Sequence, residues 1–152
     1  MEKLKMGQAE YAAMARSLRR VDFFAPLTVG QLELVLPYIM LYSCEAGEAV
    51  FKQGDAGDAF YIIYEGGVHI RLKKSFFSFS RTVKTMVPGD FFGEMALLSK
   101  EPRSASVVCT EPTKLFALLS VDFDFIVKQN PAFAAEVQKA AVRRRFASAH
   151  DS

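Results

Sequence analysis

Short apolar runs alternate with turn-forming glycine and aspartate between residues 43 and 119, and this rhythm restricts the fold more than any other feature. Glycine or Gly-Asp turns recur at positions 47, 54–55, 57–58, 66–67 and 89–90. Within one run, Val68, Ile70 and Leu72 alternate with polar residues, which is the period of a strand with one buried face. Many short strands with frequent turns predict an antiparallel sandwich or jelly roll, not a parallel sheet with crossover helices.

Six apolar runs in this segment are predicted to be strands. They cover residues 49–52, 60–64, 68–72, 83–87, 104–109 and 114–119. Between the third and fourth runs, Phe76, Phe77 and Phe79 stand among polar neighbours and indicate a hairpin. These aromatic side chains either pack locally or form an exposed contact patch.

The residues before this segment have the period of helices. Apolar residues recur at helical spacing within residues 4–41, as at Tyr11, Met14, Ala15 and Leu18. Thr28 is a suitable N-cap for a second helix over residues 29–38. These helices either only pack on the domain or also relay motion to an attached partner.

The residues after the strands return to helix. Ser120 is a suitable cap for residues 121–129, and Asn130-Pro131 ends that helix and begins another. One face of the last helix collects apolar residues and, at its end, an arginine: Phe133, Val137, Ala140, Ala141 and Arg144. An arginine in that position needs a surface or a ligand to lie against.

Length and composition indicate one folded domain. The 152 residues are 51% hydrophobic and include 14 phenylalanines, enough for a single sizeable core. The formal net charge of +2 is too small to indicate nucleic-acid binding. No apolar run approaches the roughly 20 residues that span a bilayer, so we expect no direct membrane insertion.

Few residues are candidates for catalysis or metal binding. Cys44 and Cys109 form no Cys-x-x-Cys pair, and they favour a reduced, cytoplasmic setting over a disulfide framework. His69 and His150 do not make a metal site, because such sites cluster several histidine and carboxylate ligands. No Ser/His/Asp or Cys/His set is apparent, so we expect neither an enzyme nor a metal cofactor.

The chemistry of the chain concentrates in residues 88–106. Gly93 permits a tight turn and close approach by a ligand, and the short helix expected after it presents unpaired N–H groups to an anion. Arg103 supplies a planar fork suited to phosphate oxygens. Glu94 accepts hydrogen bonds and repels phosphate, so it suits a sugar hydroxyl. The combination indicates a ribose-phosphate ligand. The alternative is two ordinary turns joined by a Glu94–Arg103 salt bridge.

This ordered set resembles the phosphate-binding cassette of cyclic nucleotide-binding domains. The similarity rests on residues 92–98 (Phe-Gly-Glu-Met-Ala-Leu-Leu) and 102–105 (Pro-Arg-Ser-Ala), and on the strand and turn pattern of residues 46–66. It extends over about residues 18–145. The resemblance implies a mainly β fold with flanking helices, built around an antiparallel, jelly-roll-like β-roll.

The resemblance also implies a division of the chain into three parts. The first, 1–41, is a linker-like N-terminal helical bundle. The second, 42–119, is the β-roll that binds the cyclic nucleotide. The third, 120–152, holds the C-terminal helices, including a lid helix.

Individual roles follow from the same resemblance, with cAMP or cGMP as the ligand and no other cofactor. Arg103 is similar to the phosphate-binding arginine, and Glu94 to the acceptor for the ribose 2′-hydroxyl. The other positions complete the phosphate cradle (Gly93, Met95, Ala96 and Ser104) or border the base (Ile70, Lys84 and Met86).

Two features bear on the base itself. Arg144 resembles the residue that closes over the purine, with Arg143 and Arg145 as alternatives in register; helical phase favours Arg144. Ser104 departs from the alanine found in members that prefer cAMP and resembles members that also accept cGMP. We expect both nucleotides to bind without a large preference, with cAMP slightly ahead.

The resemblance leaves several effectors to compare. Catabolite-activator-type regulators follow the last helix with a helix-turn-helix, and kinase regulatory subunits carry two tandem copies, whereas this sequence shows no internal repeat. Residues 1–24 resemble the end of the helical linker that precedes such domains in channels. The sequence therefore predicts a domain that gates a prokaryotic potassium channel, tetrameric and at the cytoplasmic face of the membrane. The alternative is a free-standing sensor or a regulatory subunit of another effector.

Overall fold

The computed structural model describes residues 1–21, 24–75 and 79–151, with side chains as far as residue 143. Its helices are α1 (Gln8–Arg20), α2 (Val29–Val35, extended by a 3₁₀ turn at Leu36–Tyr38), α3 (Met95–Leu98), α4 (Ser120–Gln129) and α5 (Pro131–Asp151). Its strands are β1 (Glu2–Leu4), β2 (Met40–Cys44), β3 (Ala49–Phe51), β4 (Ala59–Glu65), β5 (Val68–Leu72), β6 (Arg81–Met86), β7 (Phe91–Phe92), β8 (Ser106–Cys109) and β9 (Thr113–Leu119).

The strands form two antiparallel sheets. One has the order β1-β2-β9-β4-β7 and the other the order β3-β8-β5-β6. In the first sheet Ile62 lies opposite Phe116, and in the second Ile70 lies opposite both Lys84 and Val107. The predicted mainly β, antiparallel architecture with flanking helices is confirmed.

Two hydrophobic cores lie on opposite faces of the first sheet. The roll core fills the space between the two sheets and includes Tyr61, Leu115 and Val107. The helical core lies between the first sheet and α1, α2, α4 and α5, and includes Phe60 and Phe116. Consecutive residues of β4 and β9 point into different cores, so residues 59–64 of β4 and 115–119 of β9 are continuously apolar and do not alternate with polar residues.

One predicted helix cap is confirmed and one is wrong. The Thr28 hydroxyl accepts a hydrogen bond from the Gln31 N–H at 3.1 Å, and the Gln31 side chain accepts one from the Thr28 N–H at 2.9 Å, which is a capping box. Ser120 is instead the first residue of α4, is buried, and makes no side-chain cap. Its N–H donates to the Asp58 carbonyl at 2.9 Å, because the sheet continues directly into the helix.

Three strands were not predicted from the sequence. Residues 1–41 were expected to be helical, but Glu2–Leu4 is a strand whose Leu4 lies opposite Leu41 of β2. Three residues are too short to show a period, and their pairing with a sheet edge decides their conformation. Strands β2 and β7 were also missed.

The hairpin aromatics fall only partly within the described residues. Phe79 is 97% exposed, so local packing is wrong for this side chain. Phe76 and Phe77 lie outside the described residues, as do Asp22 and Phe23 of the linker-like segment and the side chains of Arg144 and Arg145.

The described residues also bear on the expectations about metals, membranes and disulfides. Within these ranges, no three histidine, cysteine or carboxylate side chains lie together as metal ligands do. No helix in the same part of the chain has both the length and the apolar character of a membrane span. Cys44 and Cys109 are buried free thiols.

Candidate functional site

A cavity of about 830 Å³ opens between the β5–β6 hairpin and the segment that runs from β7 to β8. Nine of the ten predicted ligand-binding residues line it: Ile70, Lys84, Met86, Gly93, Glu94, Met95, Ala96, Arg103 and Ser104. The tenth, Arg144, has its side chain outside the described residues. Residues far apart in sequence therefore meet around one cavity.

Arg103 is the buried cation of this cavity. The residue is 7% exposed, and its Nη2 donates to the Ala59 carbonyl at 2.6 Å and to Asp58 Oδ1 at 3.3 Å. Its Nη1 lies 3.5 Å from the Gly93 carbonyl. Burial lowers the pKa of the Arg103 guanidinium, whereas the neighbouring Tyr61 and Asp58 raise it.

One nitrogen of Arg103 makes no hydrogen bond to the described residues. The Nε atom is buried and has no hydrogen-bond acceptor among the described residues. Leaving a buried donor unpaired costs about 1–3 kcal/mol, more when the group is charged. An anionic ligand in the cavity would supply the missing acceptor, which is how the site fits a phosphate.

Phe51 on β3 supports this guanidinium from one side. The Arg103 Cζ lies 4.0 Å from the centre of the Phe51 ring, a cation–π geometry. Phe51 belongs to an aromatic group with Tyr61 and Phe92, whose ring centres lie 5.3–6.1 Å apart. Burial, with a smaller effect of Asp58, raises the pKa of Tyr61 to about 12. The Arg103 guanidinium therefore packs against an aromatic surface on this side.

Gly93 is required where it stands. Its φ of +80° is in the left-handed region, and a Cβ there would lie 2.8 Å from Arg103 Nη1 and 3.1 Å from the Ala59 carbonyl oxygen. Beyond it the chain turns into α3, where the Ala96 N–H donates to the Gly93 carbonyl at 3.1 Å. A side chain at position 93 would displace the guanidinium.

Among the described residues, Arg103 forms its ion pair with Asp58, from the turn before β4, and not with Glu94 as in the salt bridge considered as an alternative. The Asp58 carboxylate is 76% exposed. Glu94 lines the cavity. Both residues therefore belong to one concave site, not to two separate surface turns.

The described part of α5 lies on the helical core. Phe133 and Ala140 are 0% and 3% exposed and pack there. Among the described residues, those lining the cavity include none from α5. The lid over the base thus stays a prediction.

Several residues that touch the site were given no role from the sequence, and three of them matter for Arg103 or its cavity. Phe51 and Arg20 line the cavity, and Asp58 pairs with Arg103. No local pattern marks them, because each comes from a different element: β3, the end of α1 and a turn. Only the approach of distant segments brings them to Arg103 or to its cavity.

Comparison with known proteins agrees with this geometry. A family model for the cyclic nucleotide-binding domain matches residues 42–130, more than half of the chain. The chain is 33% identical over 121 residues to the cyclic AMP receptor protein of Thermus thermophilus, an overlap of 80% of this chain and 56% of that protein. It is 32% identical over 129 residues to a cyclic nucleotide-gated potassium channel of Mesorhizobium japonicum, covering 85% of this chain and 34% of the channel.

A solved structure shares both fold and sequence. The regulatory domain of Toxoplasma gondii PKA with cAMP superposes with a TM-score of 0.75 at 29% identity, covering 93% of this chain and 49% of that one. The chain spans between 11% and 56% of the length of the curated relatives that it matches. The relatives include a cyclic AMP receptor protein, a cyclic nucleotide-gated potassium channel and a cGMP-dependent protein kinase.

Proposed function

The chain belongs to the cyclic nucleotide-binding domain family, and on that premise we propose that it binds cAMP or cGMP in the cavity and transmits the binding through its helices to gate a potassium channel. Membership of this family makes the chain a cyclic nucleotide-binding regulatory domain.

The observation that carries the proposal is that Arg103 lines the cavity while its buried Nε has no hydrogen-bond acceptor among the described residues. An arginine stays protonated at neutral pH, so a buried guanidinium attracts an anion strongly. We assign the cyclic phosphate to Arg103, with the backbone around Gly93, Met95, Ala96 and Ser104 completing the cradle. Glu94 accepts a hydrogen bond from the ribose 2′-hydroxyl.

The base lies against the β5–β6 hairpin in this proposal. Ile70 and Lys84 are opposite each other in the sheet, and Met86 is two residues further along β6. Their apolar surface, including the stem of Lys84, suits one face of a purine. Arg144 of α5 would cover the other face when the lid closes.

Transmission to the helices begins at α3. Ala96 lines the cavity, whereas the next residue, Leu97, is buried in the helical core. Past α3, the Lys100 ammonium lies 2.7 Å from the Asp124 carboxylate of α4. A ligand that orders the cassette therefore acts directly on the elements that carry α5. Reversing a 1:99 equilibrium requires about 5.5 kcal/mol of differential binding.

The effector is proposed from similarity. The channel relative from Mesorhizobium japonicum supports a potassium channel portion in the same polypeptide. We propose that this channel is tetrameric and holds the domain at the cytoplasmic face of the membrane, as the resemblance to channel domains implies. The second candidate is a free-standing sensor or another regulatory subunit. It is supported by the receptor and kinase relatives, which carry similar domains. In neither case do we expect turnover of the nucleotide.

The direct test is calorimetric titration of Arg103→Ala with cAMP and cGMP. We expect a loss of about 3–5 kcal/mol in binding, because a buried phosphate would lose its charge partner. Arg71→Ala is the matched control: this arginine is also on the roll but donates to Ser80 and Thr82 and does not line the cavity.

Two outcomes contradict the proposal. Unchanged affinity of a folded Arg103→Ala protein, checked by circular dichroism, would refute the phosphate assignment. Absence of heat when the unaltered protein is titrated with either nucleotide would refute the ligand. Chromatography of the nucleotide after incubation separates binding from hydrolysis.

A further inference from the structure

A second arginine enters the cavity from outside the cassette. Arg20 is the last residue of α1 and lines the cavity. Its Nη1 lies 4.0 Å from the position that a Cβ would take on Gly89, just after β6. The neighbouring Arg19 is engaged elsewhere, since its Nη1 donates to the Leu27 carbonyl at 3.2 Å. Arg20 is thus the α1 side chain directed toward the ligand site.

Strand β4 relates the positions of the two arginines, because one contacts it and the other lies beside a residue that does. Arg103 bonds to the carbonyl of Ala59 at one end of the strand, at 2.6 Å. The Gly89 N–H donates to the carbonyl of Ile63 at 2.9 Å. Four residues of extended chain separate Ala59 from Ile63, roughly 13 Å at about 3.3 Å per residue. From this separation we place Arg103 and Arg20 toward opposite ends of the cavity that both line.

The ends of the cavity differ in what they offer a nucleotide. Arg103, with its unused Nε, takes the phosphate, and the base must then point away from it. Met86, which precedes Gly89 by three residues, adds apolar surface on the β6 side of the cavity. Arg20 thus stands where the far edge of a purine would reach.

We propose that Arg20 is a specificity-determining residue that donates hydrogen bonds to the purine edge and favours guanine over adenine. This inference rests on the proposed function. The O6 and N7 atoms of guanine are both acceptors and match the guanidinium fork, whereas adenine presents an amino donor at the corresponding position. A preference for cGMP, opposite to the slight preference for cAMP expected from the sequence, then comes from α1, the helix that precedes the roll.

The proposal also gives α1 a direct contact with the ligand. The Met14 and Leu18 side chains anchor α1 in the helical core, so a pull on Arg20 acts on a packed helix. Binding of cGMP would therefore act on the N-terminal helices directly, without a conformational change transmitted through α3 and α4.

The test is calorimetric titration of the full chain and of Arg20→Ala with cGMP and with cAMP. We expect Arg20→Ala to weaken cGMP binding about fivefold or more and to change cAMP binding less than about twofold. Arg16→Ala is the matched control, an exposed arginine on the same helix that does not line the cavity. Thermal unfolding verifies that both variants fold.

Every other pattern overturns the assignment. Equal weakening of both nucleotides would place Arg20 on the shared ribose phosphate, and unchanged binding of both would remove it from the ligand. A protein that binds neither nucleotide before substitution would refute the proposed function itself, and this result is distinguishable because it appears without any substitution.

Discussion

The roll core and the helical core share one sheet but differ in what they support. In the roll core, Tyr61 and Phe92 stack beside Phe51, which carries the Arg103 guanidinium. In the helical core, Phe60 and Phe116 pack with side chains of α1, α4 and α5. The difference teaches that one core supports the buried Arg103 guanidinium, whereas the other packs the helices against the first sheet.

Adjacent residues of β9 belong to different cores. Leu115 is 0% exposed in the roll core, and Phe116 is 1% exposed in the helical core. Substitutions at such neighbours alter different cores at almost the same place in the chain. We expect a substitution at Phe116 to change stability alone, and one at Leu115 to change both stability and ligand affinity.

The largest effect is expected for Phe116→Ala. Removing a fully buried phenylalanine leaves a cavity in the helical core and lowers the free energy of unfolding by about 3–5 kcal/mol. Urea unfolding followed by circular dichroism measures the loss. The nucleotide affinity of the folded protein should stay near its original value, because the site lies on the other face of the sheet.

The control for this substitution is Leu115→Ala, for which we expect a loss of about 2–5 kcal/mol in stability together with weaker nucleotide binding. If Phe116→Ala weakens binding as much as Leu115→Ala does, the two cores are not functionally separate.

A smaller effect is expected for Phe51→Leu. The replacement keeps an apolar side chain but removes the aromatic face beneath Arg103, so we expect binding to weaken by about 1–2 kcal/mol. Calorimetry measures the affinity, and thermal unfolding measures the accompanying change in stability.

Phe125→Leu is the matched control, because this phenylalanine is 52% exposed on α4 and away from the cavity. A change in stability with no change in affinity would mean that Phe51 only fills space.

The smallest effect is expected for Arg144→Ala, which concerns the helix expected to reach the ligand. Loss of a stacked guanidinium should weaken nucleotide binding by about 0.5–1 kcal/mol. Titrations of Arg143→Ala and Arg145→Ala fix the register: a larger effect at either position would show that the wrong arginine is assigned to the lid.

The cassette was the most predictable part of the molecule. Gly93, Glu94 and Arg103 were assigned to one site from residue types and short spacing, and all three line the same cavity. Such a motif can be predicted from sequence because a tight turn, a short helix and a phosphate-binding arginine each need particular residue types at nearby positions.

The Ser120 cap and strand β1 could not be predicted correctly from the sequence, and the physical reason differs between them. Ser120 has the residue type of a cap, but its N–H is taken by Asp58 as the sheet runs into α4. Strand β1 is too short to carry a period, and only its pairing with β2 makes it a strand. In both places a long-range hydrogen bond overrides local preference.

The sequence by itself determined the antiparallel architecture and the cassette with its turn, its carboxylate and its arginine. These features depend on alternation, glycine turns and charge, which are properties of neighbouring residues. Only the tertiary structure decided which groups meet the cation. Asp58, Ala59 and Phe51 precede Arg103 by more than forty residues. Arg20 lies still further away and reaches the same cavity. Contacts at such separations depend on the packing of whole sheets and helices, which no local pattern encodes.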